Sequence, residues 1–412
     1  MRKCLLIFLT LLVLLAFTIP ASAAVNLNVN GNTYQPATSL QLQEGTTMVP
    51  LYVIERLAGA DITISDQSIT IQENDKTMTL TVGSTQATLN DDLVTLLQAP
   101  AILNDEIMVP IRAVMEGLGA TIDWEGETHT VIVSFQEQRN NMTPEDMLLK
   151  STEALTAYNT YKAKVDMHQN MQMLNPNTGE AEQVEMQMLM EMAIQNDPIL
   201  AYIKAEGVNV TDELIQPEDM NMEMVINEDG MFMTMPGEGW VKLPMQGMDI
   251  GALLKESSQD PLESLQQLSE TGALLSFGRD QEIDGQLYWV LNATMGPDSF
   301  SQLLNQVLGD IPLTEGQGSS EELGILNKLF NEMRADIFYN MLINQETLIP
   351  EFMNSYTTME INTQIPNPDT EEAILIDIDL QQIASYEYYD LGEPIVVPDL
   401  SEAQELNLEN II

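Results

Sequence analysis

Methionine thioethers are the side chains whose number and spacing could do chemistry in this sequence of 412 residues. The chain has 27 methionines, and between residues 167 and 248 many of them alternate with other residues. The clearest M-x-M runs contain Met186, Met188, Met190, Met192, Met220, Met222 and Met224. Because alternate residues of a strand point to the same face, such runs could present soft sulfur ligands to Cu(I).

The same spacing has interpretations that need no metal. Burial of one strand face also places an apolar residue at every second position, and methionine can simply be that residue. We favour burial over a copper site. A methionine-lined surface would also be soft and adaptable, which suits varied apolar ligands or preferential oxidation as a sink. We therefore predict that these seven methionines line a cavity for an apolar ligand, with no bound metal or other cofactor.

Residues that could catalyse a reaction are few. The two histidines, His129 and His168, both fall within predicted strands and are interpreted as strand-surface residues. No G-x-S-x-G motif accompanies them, so a serine hydrolase would lack its nucleophile and base. Asp377 and Asp379 share a predicted strand face, but among 63 acidic residues such a pair is expected by chance. We assign no catalytic residue and predict that the protein is not an enzyme.

The elements that would position these residues begin with an internal repeat. Its two copies are TMVPLYVIERLAGADITI at residues 47–64 and IMVPIRAVMEGLGATIDW at residues 107–124. In each copy an apolar strand precedes a proline, Pro50 or Pro110, where only the first helical turn tolerates it. Apolar residues then recur at helical spacing up to Gly59 or Gly119, where a helix can end in a left-handed residue. Each copy is therefore predicted to form a β-α-β unit.

Arg112 is the residue of the repeat that most invites a functional role. It lies in the predicted first helical turn, where the helix dipole opposes a cation, so we expect a carboxylate partner such as Glu116 or Asp123. The first copy has Tyr52 at this position. We therefore interpret Arg112 as part of a structural ion pair rather than as a ligand site.

The repeat resembles the copper amine oxidase N-terminal domain family over residues 25–135. The resemblance rests on Val109-Pro110-Ile111-Arg112 with Leu118-Gly119-Ala120, and on Val49-Pro50-Leu51 with Gly59-Ala60. Membership implies a non-catalytic extracellular accessory module and says nothing reliable about copper. The oxidase itself would need three histidine copper ligands and a tyrosine in an Asn-Tyr-acid context. The chain has two histidines and no Asn-Tyr pair, which excludes that activity.

The amino-terminal residues predict secretion. Arg2 and Lys3 precede an apolar run at residues 5–19, and Ala21-Ser22-Ala23 supplies a small-residue cleavage pattern, so residues 1–23 are predicted to be a signal peptide. Cys4 would leave with it, which excludes disulfides in the mature chain. No later segment approaches the roughly 20 apolar residues of a transmembrane helix. We predict a bacterial protein that is secreted, extracellular or loosely associated with the cell surface.

The charge of the chain limits its partners. Acidic residues number 63 against 15 basic ones, a formal charge of −48. Such a chain repels nucleic acid and anionic lipid surfaces. We interpret the acidity as a solvated, highly soluble exterior rather than a dedicated cation-binding surface, and no D-x-[DN]-x-[DN]-G calcium loop is present to indicate otherwise.

A change of pattern marks the predicted domain boundary. The polar residues 136–142 follow the repeat as a linker, and Thr143 then caps a helix that begins with Pro144 and should end near Tyr158. Apolar residues next alternate with polar ones, most clearly over residues 183–195, which predicts long antiparallel strands. Further helices are predicted to open at Asp260 and to cover residues 300–308 and 321–332, with a loop at residues 309–324. Further strands are predicted at residues 199–208, 219–227, 337–344, 348–364 and 373–381.

The order of elements in residues 143–400 resembles LolA-like lipoprotein carriers. Tyr388-Tyr389-Asp390, Trp240-Val241-Lys242 and Asp260-Pro261 are the residues that support this resemblance. It implies a strongly curved antiparallel sheet, a half-barrel, with helices on its concave side and a cavity that carries acyl chains. The predicted fold class is therefore α+β, with a small repeated β-α-β and hairpin domain at residues 24–135 and the curved-sheet domain at residues 143–412.

These patterns lead to one preferred function and two alternatives. We predict a non-enzymatic binding protein whose first domain associates with cell-wall or other surface components and whose second domain binds an apolar small molecule, lipid or acyl chain. A Cu(I)-handling protein is the first alternative, and a structural cell-envelope protein is the second. Because the linker is short, polar and free of proline, the two domains are also expected to fold separately.

Overall fold

The computed structural model describes residues 25–174, 180–211, 216–235, 239–243, 272–309, 328–329, 331–366 and 373–405. The predicted signal peptide and the predicted helix at Asp260 lie outside these ranges. So do most of the predicted loop at 309–324 and most of the predicted helix at 321–332.

The first region contains thirteen short strands and two helices within the described residues. The strands are β1 (Asn26–Val29), β2 (Asn32–Tyr34), β3 (Gln41–Gln43), β4 (Thr46–Pro50), β5 (Asp61–Ser65), β6 (Ser68–Glu73), β7 (Lys76–Thr81), β8 (Gln86–Leu89), β9 (Asp92–Thr95), β10 (Ala101–Leu103), β11 (Glu106–Pro110), β12 (Thr121–Glu125) and β13 (Thr130–Ser134). The helices are α1 (Leu51–Ala58) and α2 (Ile111–Leu118).

The repeat forms a unit with approximate two-fold symmetry. Its central sheet has the order β10-β11-β4-β3, which reads the same from both ends when β3 and β4 are matched to their repeats β10 and β11. At the centre Val49 lies opposite Val109, and Met48 and Pro50 lie opposite Pro110 and Met108. The strands β1 and β2 have counterparts in β8 and β9, so the duplication extends beyond the recognisable motif.

Both repeat helices are short, amphipathic and ended by glycine. Pro50 and Pro110 occupy the cap position, one residue before the helix rather than inside its first turn, because each still closes the preceding strand. Gly59 and Gly119 end the helices with φ angles of 58° and 107°, as predicted. The apolar faces of α1 and α2 meet in one core cluster with the surrounding strands.

The second region is dominated by one sheet, which is antiparallel except for the parallel pairing of its last two strands, those at Gly239–Lys242 and Gln404–Glu405. Its strands are β14 (Thr160–Leu174), β15 (Ala181–Gln195), β16 (Leu200–Val210), β17 (Met222–Asn227), β18 (Gly230–Met235), β19 (Gly239–Lys242), β20 (Leu274–Phe277), β21 (Gln281–Ile283), β22 (Gln286–Met295), β23 (Met333–Asn344), β24 (Pro350–Pro366), β25 (Ala373–Tyr389) and β26 (Gln404–Glu405). The helices are α3 (Pro144–Thr156) and α4 (Pro297–Gly309). The strand order is β20-β22-β23-β24-β25-β14-β15-β16-β17-β18-β19-β26, and β21 pairs with β22. This sheet curls into the predicted half-barrel, which confirms the α+β fold class.

Two strand predictions need correction. The strand predicted for residues 373–381 continues to Tyr389, because β14 and β24 supply backbone partners on both sides where the apolar alternation weakens at Gln381 and Gln382. The strand predicted from residue 219 begins at Met222, because residues 217–220 form a 3-10 turn that packs against Gly207.

Helix α3 defines one face of the large sheet. Thr143 and Asp146 form a capping box, with the Asp146 amide donating to Thr143 Oγ1 over 3.2 Å. Met147, fully buried on α3, packs in a cluster with Phe277, Leu291 and Ile343 of the sheet. We call the side that carries these residues the helix face, and the other side the opposite face.

The first region packs against the opposite face at the β20 end of the sheet. Arg56 of α1 forms an ion pair with buried Asp336 of β23, donates to the Tyr34 hydroxyl over 3.3 Å and lies 5.7 Å from the Phe338 ring centroid. Only glycine fits at position 59 in this interface, because a Cβ there would lie 1.8 Å from the carbonyl oxygen of Phe277. The two regions therefore share a close, partly ionic interface.

Three of the residues between the two regions, Glu137, Arg139 and Met142, are packed, whereas residues 136, 138, 140 and 141 are exposed. Arg139 lies 3.7 Å from Glu137, 3.9 Å from Glu73 and 3.6 Å from Asp280, and its guanidinium lies 5.2 Å from the Phe277 ring centroid. The side chains of Glu73 and Glu137 are only 6% and 8% exposed. Burial, with the neighbouring Glu73 carboxylate, raises the pKa of Glu137 to about 8. Separate folding of the two domains remains a prediction.

Candidate functional site

The strand registers place the predicted methionines on one surface. On the helix face, Val165 of β14 lies opposite Met190, and Met167 lies opposite Met188. From β15 the row continues through β16, where Ala205 pairs with both Met190 and Met222. The face of β15 and β17 thus carries Met186, Met188, Met190, Met192, Met222 and Met224. We call these six residues, with Met220, the methionine surface.

Met220 joins this surface from the turn before β17. Gly207 lies opposite Met188 beside a register shift, and a Cβ at Gly207 would be 2.9 Å from Met220 Cβ and 2.1 Å from the Pro217 carbonyl oxygen. The absence of a side chain at Gly207 therefore allows the turn at Pro217–Met220 to pack closely against the sheet. All seven predicted methionines are brought to one neighbourhood.

The exposure of the methionine surface distinguishes it from a closed core. All seven methionines are partly exposed. The smaller residues between them are buried, with Ala163, Val165 and Ala205 each at most 3% exposed. The methionine side chains therefore project beyond the small, buried side chains between them and form a flexible apolar lining.

Four tyrosines border this lining and were missed by the sequence analysis. Tyr388 and Tyr386 lie opposite Ala163 and Val165, and Tyr161 and Tyr339 occupy the same face of β14 and β23. The rings of Tyr161 and Tyr388 are 6.2 Å apart, and burial raises the pKa of Tyr388 to about 12. The sequence pattern that could have identified Tyr386 and Tyr388 is their alternation with Ala384, because all three occupy helix-face positions of β25. The face thus combines an apolar surface with phenol hydroxyl groups.

Two direct methionine pairs are relevant to the copper alternative. Met167 lies opposite Met188, and Met224 lies opposite Met233. Directly opposed residues of an antiparallel pair have Cβ atoms about 4.5–5.5 Å apart. Within the described ranges no group of three His, Cys, Asp or Glu side chains could hold a metal ion. Copper binding there would therefore depend on thioethers.

The other candidate residues lie apart from this surface. His168 is in a strand, as predicted, but on the opposite face, with Nε2 3.3 Å from Asp166 Oδ1. The prediction that His129 lies in a strand is wrong. It has a φ of 52° in the four-residue turn between β12 and β13, because Glu125 and Thr130 are the last paired residues of that hairpin.

Of the carboxylates and the arginine singled out by the sequence, Asp377 and Arg112 have hydrogen-bond or ion-pair partners. Asp377 accepts a hydrogen bond from Asn362 Nδ2 over 3.1 Å, and Asp379 lies opposite Gln172 and Glu360 on neighbouring strands. Arg112 pairs with Glu116 over 3.1 Å, as predicted, and also donates to the carbonyl oxygen of Ile122.

Comparison with family models assigns both parts of the chain. Residues 28–133 match the copper amine oxidase N-terminal domain, which confirms the first resemblance. Residues 143–404 match a family of unknown function, DUF6612. The comparison with curated proteins finds no match.

Comparison with solved structures gives distant matches in fold. The lipoprotein LppX of Mycobacterium tuberculosis matches at 10% identity and a TM-score of 0.31, over 62% of this chain and 98% of its own. LprF of Mycobacterium bovis matches at 11% identity and a TM-score of 0.28, over 62% and 96%. A LolA superfamily protein of Nitrosomonas europaea matches at 9% identity and a TM-score of 0.18, also over 62% and 96%. The last of these proteins belongs to the superfamily that residues 143–400 resemble in their order of elements.

The extent of the family matches decides how the chain is classified. The match to residues 143–404 covers more than half of the 412 residues and includes the whole methionine surface. The protein therefore belongs to the DUF6612 family of unknown function, and its first region matches the copper amine oxidase N-terminal domain.

Proposed function

We propose that this protein is a secreted or surface-associated, non-enzymatic binding protein that holds an elongated apolar ligand, a lipid or acyl chain, on its methionine surface. The observation that carries the proposal is that six partly exposed methionines share one face of a long curled sheet and that Met220, also partly exposed, packs beside them from a turn. Binding of an apolar ligand would remove this exposed apolar surface from water, which lowers the free energy.

The chemistry of the lining supports an amphiphilic ligand. Methionine side chains have three rotatable bonds, so they can fill the space when it is empty and move aside when it is occupied. Tyr386 and Tyr388 lie on β25, opposite Val165 and Ala163 of the neighbouring strand β14. Their hydroxyl groups can hydrogen-bond a polar group at one end of the ligand. A fatty acid or acyl lipid has this combination of properties.

The proposed location follows from the predicted signal peptide and the first region. Among the helices of the described ranges, none combines the length and the apolar composition required to cross a membrane. We assign the first region to association with cell-wall or other surface components. Fractionation of the host should place the protein in the medium or in a salt-extractable surface fraction, and recovery from the cytoplasm would contradict this assignment.

A fluorescent fatty acid titrated into the full mature chain tests the ligand proposal. We expect saturation near one site per chain. Met190→Glu and Met222→Glu should each weaken binding, because a carboxylate in an apolar lining loses its hydration. Leu189→Glu is the matched control, since Leu189 is 45% exposed on the opposite face of the same strand. A folded chain with no saturable binding, or with equal losses in all three variants, would contradict the proposal and favour a structural envelope role.

Cu(I) handling is the second candidate, supported by the opposed pairs Met167–Met188 and Met224–Met233. An anaerobic Cu(I) titration of the full chain should show no specific site if the methionines serve an apolar ligand. Submicromolar affinity that Met188→Leu with Met190→Leu abolishes would instead favour copper.

A further inference from the structure

A groove on the first region has no role in the ligand proposal. It has a volume of about 630 Å³ and lies between α2, β12 and the segments around β3 and β9. Three apolar side chains that line it are exposed to solvent: Leu42 by 49%, Leu97 by 86% and Trp124 by 41%. Arg112 lines the groove beside them with 47% of its side chain exposed. Apolar exposure of this kind, next to a guanidinium, is typical of a binding site.

The internal repeat gives this groove a counterpart on α1. Residue numbers in the two copies differ by 60, so Tyr52 corresponds to Arg112, and Arg56 corresponds to Glu116. Likewise Ala37 corresponds to Leu97. The arginine of each helix is thus offset by one helical turn between the copies, with Arg56 on α1 and Arg112 on α2.

The counterpart groove is partly occupied by the second region of the same chain, and a cavity of about 470 Å³ remains beside Tyr52, Arg56 and Asp336. Asp336 of β23 forms an ion pair with Arg56, and Phe338, two residues later on the same strand face, lies against the same guanidinium. Backbone also packs closely there, since a Cβ at Gly296 would lie 2.3 Å from the Gln35 carbonyl oxygen. The α1 groove thus receives an extended segment with a carboxylate and an aromatic ring at alternate positions.

The α2 groove has the chemistry for a similar occupant. Arg112 Nη1 donates hydrogen bonds to Glu116 Oε1 and to the Ile122 carbonyl oxygen. Within the described ranges, Nη2 and Nε of Arg112 make no hydrogen bond. Leu97 and Trp124 are larger than their counterparts Ala37 and Ile64. The apolar wall is therefore larger than that of the occupied groove.

We propose that the α2 groove is a docking site for an extended segment of a different protein, which presents a carboxylate to Arg112 and a large apolar side chain to Leu97 and Trp124. A second copy of this chain is disfavoured as the occupant, because two chains that each carry a formal charge of −48 repel each other. The inference rests on the proposed surface association and gives it a specific site.

Selection of random peptides displayed on phage against the full mature chain tests this site. We expect the enriched peptides to carry an acidic residue and an aromatic or large aliphatic residue at alternate positions. Synthetic copies should bind Arg112→Gln about tenfold or more weakly than the parent, since a hydrogen bond to a charged group is lost. Trp124→Ala should also weaken binding.

The repeat offers a matched control for the apolar wall. Leu42→Ser lies in the groove, whereas Ile102→Ser changes the equivalent, 60% exposed position of the other copy, which does not line this groove. We expect loss of affinity for Leu42→Ser and parental affinity for Ile102→Ser. Thermal transitions of all variants separate lost binding from lost folding, and a peptide-dependent change in tryptophan fluorescence that the parent shows and Trp124→Ala lacks reports contact at the groove.

Several results would overturn the inference. They are the absence of any enriched peptide whose binding depends on the groove residues, enrichment of groove-binding peptides without acidic residues, and a concentration-dependent dimer in sedimentation that Leu42→Ser abolishes. The last result would make a second copy the occupant. Peptide binding is measured separately from host fractionation and from the fatty-acid titration, so failure of this inference leaves those two tests standing.

Discussion

The two ends of one row of side chains on the large sheet are packed differently. The row runs across six strands of the helix face through Met190, Val165, Tyr386, Met353, Met341 and Leu291, each opposite the next. At one end Leu291 is fully buried in the cluster under α3. At the other end Met190 is partly exposed.

This difference shows how one sheet can contain both a core and a binding surface. At the Leu291 end, α3 covers the helix face and the first region covers the opposite face, so side chains are fixed on both sides. At the Met190 end the alternation of apolar and polar residues is the same, but the largest apolar residues are methionines, which have flexible side chains and are only partly buried. The Leu291 end therefore supplies stability, and we assign ligand binding to the Met190 end.

The largest predicted effect comes from removing the anchor of the packed end. Arg56→Ala leaves Asp336 as a buried charge without its partner, so we expect unfolding free energy to fall by about 3–5 kcal/mol. Chemical denaturation of the full chain measures this. Arg112→Ala is the control, since its ion pair is exposed and should cost about 1 kcal/mol or less. Equal costs for the two variants would mean that the interface of α1 with β23 contributes little.

The next effect compares the two ends of the row directly. Leu291→Ala should cost about 2–5 kcal/mol, as large-to-small changes in a closed core do. Met190→Ala should cost less than half as much, because its site is not closed. Denaturant midpoints, with the slope unchanged, would establish the difference. A cost for Met190→Ala that matches Leu291→Ala would show that the methionine surface is ordinary core.

A pH effect tests the packed residues between the two regions. Because the pKa of Glu137 is raised to about 8, the folded chain binds this proton more tightly than the unfolded chain, whose value is near 4.5. The resulting stabilisation is complete below pH 4.5 and is lost as pH rises to about 8. Glu73, Asp280 and Arg139 face this group, and burial also raises the pKa of Asp280.

Glu137→Gln should remove part of this dependence. We expect the melting temperature of the parent to fall more steeply between pH 5 and pH 8 than that of the variant, with the two curves diverging toward pH 8 in favour of the variant. Identical slopes for the two proteins would contradict a protonated, buried Glu137.

The smallest predicted effect sharpens the character of the methionine surface. Met188→Leu combined with Met190→Leu should cost under about 1.5 kcal/mol, because leucine and methionine have similar volumes. Fatty-acid affinity should also change little. A larger loss of stability would indicate that the flexibility of the thioethers, or a specific role for sulfur, matters more than their apolar character.

Local patterns predicted much of the fold. The repeated motif with Gly59 and Gly119 predicted both small helices, the Thr143-Pro144 start predicted α3, and period-two alternation predicted the long strands and the shared face of the methionines. These features depend on neighbouring residues, so their causes are visible in short stretches of sequence. The family match confirmed the first resemblance.

Contacts between distant residues could not be predicted in this way. Arg56 and Asp336 are separated by 280 positions, and neither has a local pattern that identifies the other as its partner. Burial of Glu137 depends on Glu73 and Phe277, which come from different regions. The position of Tyr386 beside the methionines depends on pairing between β14 and β25. The length of the hairpin turn that contains His129 is fixed by strand pairing rather than by composition, so local alternation cannot predict where this turn ends.

The most direct test of the central claim is a native mass spectrum of the full mature chain, purified from its host without detergent. We predict a population heavier than the bare chain by the mass of one lipid or fatty acid. This adduct should be lost in Met190→Glu and retained in Leu189→Glu. A spectrum with only the bare chain, or with copper as its only adduct, would contradict apolar ligand binding on the methionine surface.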